Sequence, residues 1–172
     1  MFLVARKVGR PAPRKEKNYK FRIAGKKDFN KCFDLYADLH KGNNLNKLRK
    51  LVFTVSGGKT IIVAMQCDCN GKEIMLAGVD MYYINDRDAR ENTIHEGFIG
   101  VAPEFEGNGL ATEMRAFASK VFQGAGVSGI SSRISEDNVG SLKSARRQGF
   151  CVVEKYFDQT DKKYRYYMKK TF

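Results

Sequence analysis

Apolar residues recur along this chain with two periods, one typical of helices and one typical of strands. Helical spacing predicts four helices. The first begins after Asp28, and the others lie over 43–51, 110–123 and 138–148. Short apolar or alternating runs predict strands over 19–24, 60–67, 73–84, 93–101, 130–134, 150–157 and 164–168. The polar stretch 85–92 between two of these strands is interpreted as a loop.

The order of these elements is a strand, two helices, three strands, then a helix, a strand, a helix and two strands. This order predicts a single domain of the α/β (α+β) class over 19–172, without an internal repeat. Residues 1–18 contain Pro11 and Pro13 and have no periodicity, which predicts a leader or linker.

Composition narrows the class of protein. Of the 172 residues, 42% are hydrophobic and 12% aromatic, which is enough for a core and excludes wholesale disorder. The longest apolar stretches are far shorter than a membrane span. Four cysteines are too few and too irregularly spaced for a disulfide scaffold, and no metal site is expected. We therefore expect a cytoplasmic protein with reduced thiols.

The net charge of +12 lies at the two ends of the chain. Residues 1–27 carry a net +9 and residues 154–172 a net +3, so the region 28–153 is neutral. A basic arm could engage nucleic acid or another anionic surface. The arm matches no recognition motif, so this is only a weak indication, and a solvated leader is the simpler interpretation.

One stretch of the sequence indicates a site that could bind an anion. Residues 101–112 read VAPEFEGNGLAT, so the chain leaves an apolar strand, turns through Gly107 and Gly109, and enters the strongest predicted helix. Glycines let a ligand approach the backbone closely, and the free N–H groups at a helix start favour an anion. The Rossmann and Walker A patterns are both absent, because Thr112 replaces the last Rossmann glycine and no Gly-Lys-Ser/Thr follows.

A second motif follows at 138–150, with an Asn at a predicted helix start and Gly-Phe at its end. Together, the two motifs resemble motifs A (V-x-P-x-[FY]-[QR]-x-x-G-x-[GA]) and B (N-x-x-[AS]…G-[FY]) of the GNAT superfamily of N-acetyltransferases. The resemblance covers roughly 93–157. It implies a single GNAT-like domain with a mixed central sheet of about six to seven strands flanked by about four helices.

The resemblance also implies how an acyl-CoA would bind. Backbone groups of Ile99 and Val101 would pair with the pantetheine amides. The pyrophosphate would lie on the backbone N–H groups of Gly107, Asn108, Gly109, Leu110 and Ala111. Asn138 and Ser141 would meet the distal pantetheine and the cysteamine end.

Two positions depart from the family pattern. Glu106 stands where Gln or Arg is usual, and its carboxylate would repel a pyrophosphate unless it pairs with a cation such as Arg115 or Arg146. Ala145 stands where many members carry a Tyr that protonates the leaving thiolate. The proton could instead come from water, from Ser141 or Ser144, or from a tyrosine of a terminal strand.

The implied reaction is attack of a neutral amine on a thioester, which needs a base and a donor to the oxyanion. Glu96, on the strand that leads into the glycine loop, is the predicted base, and the N–H of Val101 is the predicted oxyanion donor. Gly97 and Gly100 indicate a bulge that would open this strand to a ligand. His95 is the alternative base, but strand alternation puts it on the opposite face.

The predicted function is transfer of an acyl group, most simply acetyl from acetyl-CoA, to a primary amine. The acceptor could be a small-molecule amine or a protein amine, and a homodimer through terminal strands is an expectation by analogy. The alternative is a catalytically silent GNAT-fold module that binds CoA or a partner; Glu106 and Ala145 favour it, whereas Glu96 and the intact glycine loop do not.

Overall fold

A computed structural model of the chain describes residues 18–172. The predicted leader over 1–18 therefore lies, apart from Asn18, outside the described residues. None of the described helices is long and apolar enough to cross a membrane.

Within the described part of the chain, seven strands form one mixed sheet in the order β1-β2-β3-β4-β5-β7-β6. The strands are β1 (Asn18–Ile23), β2 (Ile61–Cys67), β3 (Glu73–Tyr83), β4 (Thr93–Val101), β5 (Gly129–Ser135), β6 (Cys151–Asp158) and β7 (Lys163–Thr171). Neighbours pair antiparallel except β4 and β5, which are parallel. The predicted fold class and sheet are confirmed, and the sheet reaches the upper end of the expected strand number.

Residues 18–172 also form five α-helices that pack on this sheet, together with 3-10 turns at Lys26–Asp28 and Pro103–Phe105. The helices are α1 (Phe29–Leu39), α2 (Lys47–Thr60), α3 (Asp86–Glu91), α4 (Leu110–Gly124) and α5 (Val139–Arg147). Two predictions were wrong. The stretch 85–92 is not a loop throughout but contains α3, and the second helix runs nine residues beyond Leu51 to Thr60.

The two faces of the sheet are buried by different helices. On one face, Val63, Val79 and Met81 pack with apolar residues of α1 and α2, such as Phe33 and Phe53. On the other face, residues such as Ile62, Tyr82 and Ile130 pack against α4 and α5 through Phe122 and Leu142, among others. Strand alternation therefore decides which layer each side chain of the central strands meets.

The centre of the sheet opens between β4 and β5. These strands pair only from Thr93–Gly129 to Glu96–Ser132, whereas β4 continues to Val101 beside β3. The β3–β4 register shifts between Met81 and Tyr82, whose partners are Phe98 and Glu96, so Gly97 is the extra residue of a bulge. A gap results at the carboxyl ends of β4 and β5, and the edge of β4 that faces it is free.

Candidate active site

The turn between β4 and α4 leaves a helix N-terminus without a cap. Gly107 and Gly109 adopt positive φ angles of 75° and 79°, and no side chain caps α4 at Gly109. The Asn108 side chain holds the turn by donating to the Phe105 and Glu106 carbonyl oxygens at 2.8 and 3.2 Å. The first N–H groups of a helix have no partner inside the helix, so this turn offers several donors to an anion.

Open space lies in front of these glycines. A Cβ atom built on Gly107 or Gly109 would meet no atom of residues 18–172 within 4 Å. A cavity of about 500 Å³ lies here between the turn, the end of β4 and the start of α5. Its lining includes eight of the predicted binding residues, namely Ile99, Val101, Gly107, Gly109, Leu110, Ala111, Asn138 and Ser141.

A second cavity of about 410 Å³ fills the gap between β4 and β5. It shares Ile99, Val101, Asn138 and Ser141 with the first cavity and reaches Glu96, the predicted base. We call the two together the groove. It runs from the anion-binding turn along the free edge of β4 to a carboxylate.

Three hydrogen bonds fix the Glu96 carboxylate. Arg115, on α4, donates to Oε1 through Nε and to Oε2 through Nη2, both at 2.7 Å, and the Ser132 hydroxyl donates to Oε2 at 2.8 Å. Both the carboxylate and the guanidinium are buried. Such a bidentate pair holds its members in one geometry, so Glu96 presents its charge to the groove in a defined orientation.

Arg115 also reaches the opposite wall of the groove. Its Nη1 donates to the Ser141 carbonyl oxygen at 3.1 Å, and its Nη2 lies 2.9 Å from Ser141 Oγ. One buried cation thus joins β4 to the first turn of α5. This role of Arg115 was not predicted from the sequence, although an arginine in line with Ala111, Ala118 and Phe122 on an apolar helix face is a usable signal.

A second carboxyl group lies in the same layer. Asp80, on β3, is fully buried; its Oδ2 accepts from the Tyr82 hydroxyl at 2.6 Å, and its Oδ1 has no partner among the described residues. Burial and the nearby Glu96 charge raise the pKa of Asp80 well above its usual range. Asp80 is therefore protonated, whereas Glu96 is paired with Arg115.

His95 points to the other face of the sheet, as alternation predicts. Its Nδ1 lies 2.6 Å from Ser131 Oγ and 3.8 Å from Asp88 Oδ2, and all three residues are buried. Burial lowers the pKa of His95 to about 4. The imidazole is therefore neutral at physiological pH, but it belongs to a cluster separated from the groove by the strand itself.

The two departures from the family pattern have local consequences. Glu106 lines the groove, is exposed, and forms no ion pair within 18–172, since Arg115 is taken by Glu96. Arg147, rather than Arg146, contributes a cation to the same lining. A positive charge opposite Glu106 offsets part of its repulsion toward a bound phosphate.

Ala145 is fully buried in the core, so that position offers no acid. Ser144 is also buried, with its Oγ 3.1 Å from Thr112 Oγ1 between the two helices. Ser141 is different, because it lines the groove. Of the two serines, only Ser141 faces the space in which a thiolate could leave. Within 18–172, no group of three His, Cys, Asp or Glu residues is placed to hold a metal ion.

Solved structures of similar fold are numerous. A putative acetyltransferase, yncA from Salmonella typhimurium with acetyl-CoA, has a TM-score of 0.70 and 16% identity, covering 89% of this chain and 93% of that one. The NatC complex bound to Gag peptide and CoA has a TM-score of 0.76 and 13% identity, covering 90% of this chain and 98% of that one. Ribosomal-protein-alanine N-acetyltransferase from Brucella melitensis has a TM-score of 0.69 and 18% identity, covering 89% of this chain and 99% of that one. At these identities the likeness establishes the fold.

Sequence comparison identifies the family. No curated protein sequence is significantly similar to the chain. The family model of the acetyltransferase (GNAT) family matches residues 29–150, which is well over half of the chain and includes both motifs and every lining residue of the groove except Arg165. The chain belongs to the acetyltransferase (GNAT) family.

Proposed function

We propose that this protein is an N-acetyltransferase that transfers acetyl from acetyl-CoA to a primary amine by direct attack. The observation that carries the proposal is the continuity of the groove. It joins an uncapped helix N-terminus, suited to a pyrophosphate, to a fixed carboxylate at the free edge of β4.

The cofactor would lie along the groove. Its pyrophosphate would accept from the N–H groups of 107–111, and the helix dipole of α4 adds to that attraction. Past the parallel pairing with β5, the edge of β4 at Ile99 and Val101 is open to pair with the pantetheine amides, as a short added strand would. Asn138 caps α5 by accepting from the Ser141 N–H at 3.1 Å, and both residues would meet the distal pantetheine and the cysteamine end.

The reacting groups would meet at the gap. Glu96, directly or through a water, would take a proton from the acceptor ammonium, and the neutral amine would attack the thioester carbonyl carbon. The Val101 N–H would stabilise the oxyanion that forms. The carbon–sulfur bond would then break, with Ser141 Oγ donating a hydrogen bond to the thiolate. The thiolate finally takes the proton that the amide nitrogen gives up, and Glu96 releases its proton to water. The products are an amide, CoA thiol and one proton.

Most of the acceleration would come from position. Because Arg115 ties Glu96 on one wall to Ser141 on the other, the groups beside the amine and beside the thiolate are held at a fixed separation. Holding an amine and a thioester in reacting geometry accounts for a large share of catalysis in two-substrate reactions.

The test is release of CoA thiol from acetyl-CoA in the presence of a panel of primary amines. Wild-type protein should release thiol with at least one amine, and Glu96→Gln should lower kcat/KM by about a hundredfold. Glu104→Gln, an exposed carboxylate in the turn before the glycines, is the matched control and should keep wild-type rates.

Glu96→Gln also leaves Arg115 without its charge partner. The melting temperature and the acetyl-CoA affinity of this variant must therefore be measured alongside its kinetics. A folded wild-type protein that binds acetyl-CoA and releases no thiol with any amine would contradict catalysis and favour the silent CoA-binding module.

A further inference from the structure

A third cavity lies on the opposite face of β4, beside the groove. Its volume is about 430 Å³, within the usual range of small-molecule sites. Helices α1 and α2 and strands β3 and β4 all contribute to its walls. The lining is mainly apolar and includes Leu48, Val52, Phe53, Tyr83, Ile84 and Phe98. We call this space the apolar pocket.

The apolar pocket adjoins the groove at the bulge. Gly97 and Phe98 line both the pocket and the β4–β5 gap. The Phe98 ring packs edge-on against the Tyr36 ring, with centroids 4.7 Å apart, so the wall between the two spaces is held by α1. A molecule that spans the bulge would place its amine near Glu96 and the rest of its structure in the apolar pocket.

The surface of the pocket is unusually apolar for solvent-facing positions. Leu48, Val52 and Ile84 are exposed although they line a concavity, and Leu51 extends the apolar row along the same helix. Packing within residues 18–172 leaves these side chains in water. Clusters of exposed apolar side chains in a concave surface are typical of binding sites, because a ligand there is stabilised by removing them from water.

The charges around the pocket select against cations. None of the described lining residues has a carboxylate, and Arg49 is a fixed positive charge in the lining. Helix α2 as a whole carries Lys47, Arg49, Lys50 and Lys59 and no acidic residue. A second ammonium group on an acceptor would be both desolvated and repelled in this pocket.

Resting on the proposed function, we propose that the acceptor is a small monoamine with an apolar body. Its amine reaches Glu96 across the bulge, and its alkyl or aryl portion fills the apolar pocket. Polyamines and other polycationic acceptors are excluded by the absence of a carboxylate among the described lining residues and by the positive charge of α2.

The experiment compares hexylamine with hexamethylenediamine, which differ by one terminal ammonium group. For the wild-type protein, kcat/KM for acetyl transfer should be at least about tenfold higher for hexylamine. Val52→Glu puts a carboxylate into the pocket at a position that is 42% exposed, and it should lower or reverse that preference. Val55→Glu, the same change on the same helix at an 80% exposed position outside the pocket lining, should leave the preference unchanged.

Acetylation of the diamine in preference to hexylamine by the wild-type protein would overturn this proposal while leaving N-acetyl transfer intact. An equal effect of Val52→Glu and Val55→Glu would also overturn it. Acetylation of a peptide with an apolar first residue, without transfer to hexylamine, would assign the pocket to a polypeptide and reject the small monoamine. Failure with every amine, despite acetyl-CoA binding, would instead count against the proposed function.

Discussion

Residues 95 and 96 are neighbours on β4, yet they lie in two very different polar clusters. Glu96 faces α4 and is held by Arg115 and Ser132, and this cluster opens on the groove. His95 faces the other layer and is held by Ser131 in a cluster with Asp88, whose Oδ1 accepts from the Ser131 hydroxyl at 2.7 Å. Each cluster draws one serine from β5, and both are buried.

The difference between them is access and charge. The Glu96 cluster holds a carboxylate and a guanidinium beside a space large enough for a substrate. In the His95 cluster, Ser131 donates to Asp88, so its oxygen accepts from the imidazole Nδ1–H, and the ring is fixed as a neutral group. An unperturbed imidazole is a better base than an unperturbed carboxylate, but burial lowers the pKa of His95 to about 4, and its ring does not face the groove. Placement on the correct face of β4 therefore matters more than intrinsic basicity.

The largest effect should come from removing the buried cation of the Glu96 cluster. Arg115→Met should lower the free energy of unfolding by about 3–5 kcal/mol, because it leaves the Glu96 carboxylate buried without a partner. Urea unfolding followed by circular dichroism measures this change. Lys120→Met, which removes an exposed cation from the same helix, should change the free energy by less than about 0.5 kcal/mol.

The double variant Glu96→Gln/Arg115→Met refines the same test. It removes both charges and should recover much of the stability lost in Arg115→Met. A single variant Arg115→Met as stable as the wild type would contradict the buried pair.

The His95 cluster should affect stability through pH and leave catalysis alone. The folded state keeps the pKa of His95 near 4, below the 6.5 of an unperturbed histidine. As pH falls from 6.5 toward 4, the unfolded chain gains a proton that the folded chain does not accept, so folding stability is lost in that window. His95→Gln should remove this contribution, which is at most about 1.4 kcal/mol per pH unit.

The measurement is the free energy of unfolding from pH 8 to pH 4 for both proteins. The wild-type advantage over His95→Gln should shrink toward acid pH, and kcat at pH 8 should agree between them. A large loss of kcat in His95→Gln, with acetyl-CoA affinity unchanged, would assign His95 a part in catalysis.

The smallest and sharpest contrast comes from the two adjacent serines. Ser132→Ala removes one hydrogen bond from Glu96 and should lower kcat/KM by about tenfold or less, whereas Ser131→Ala should not change it. Ser132→Ala should lower the free energy of unfolding by about 1 kcal/mol, since it removes one buried hydrogen bond. Ser131→Ala should lower it by about 2 kcal/mol, since it removes the hydrogen bonds to both Asp88 and His95. Steady-state kinetics and urea unfolding of the pair provide the comparison, and equal kinetic effects would contradict it.

Local pattern predicted the elements that build the groove. Strand β4 is found over the predicted residues, and α4 ends one residue beyond the prediction, at Gly124. Each is marked by its own signal, an apolar run in one case and helical spacing after two glycines in the other. The bulge expected from Gly97 is present as well. These features depend on residues close in sequence.

Where prediction failed, tertiary packing or a side-chain cap decided the structure. Helix α2 runs through Gly57, although glycine ordinarily disfavours a helix. Close packing requires a glycine here, because a Cβ would lie 2.9 Å from atoms of Phe29 and Ile61. Helix α3 is short and polar, and the Asn85 side chain starts it by accepting from the Arg87 and Asp88 N–H groups. The Glu96–Arg115 pair joins residues 19 apart across two layers, which no local pattern specifies.

The most direct test of the central claim is calorimetric titration of acetyl-CoA into the purified protein, with Gly109→Glu as the matched variant. The variant places a carboxylate in the open space before the uncapped start of α4, where the pyrophosphate is proposed to lie. The account predicts saturable binding by the wild-type protein and its loss in a folded Gly109→Glu protein. Equal binding by the two proteins, or no binding by a folded wild-type protein at millimolar acetyl-CoA, would contradict it.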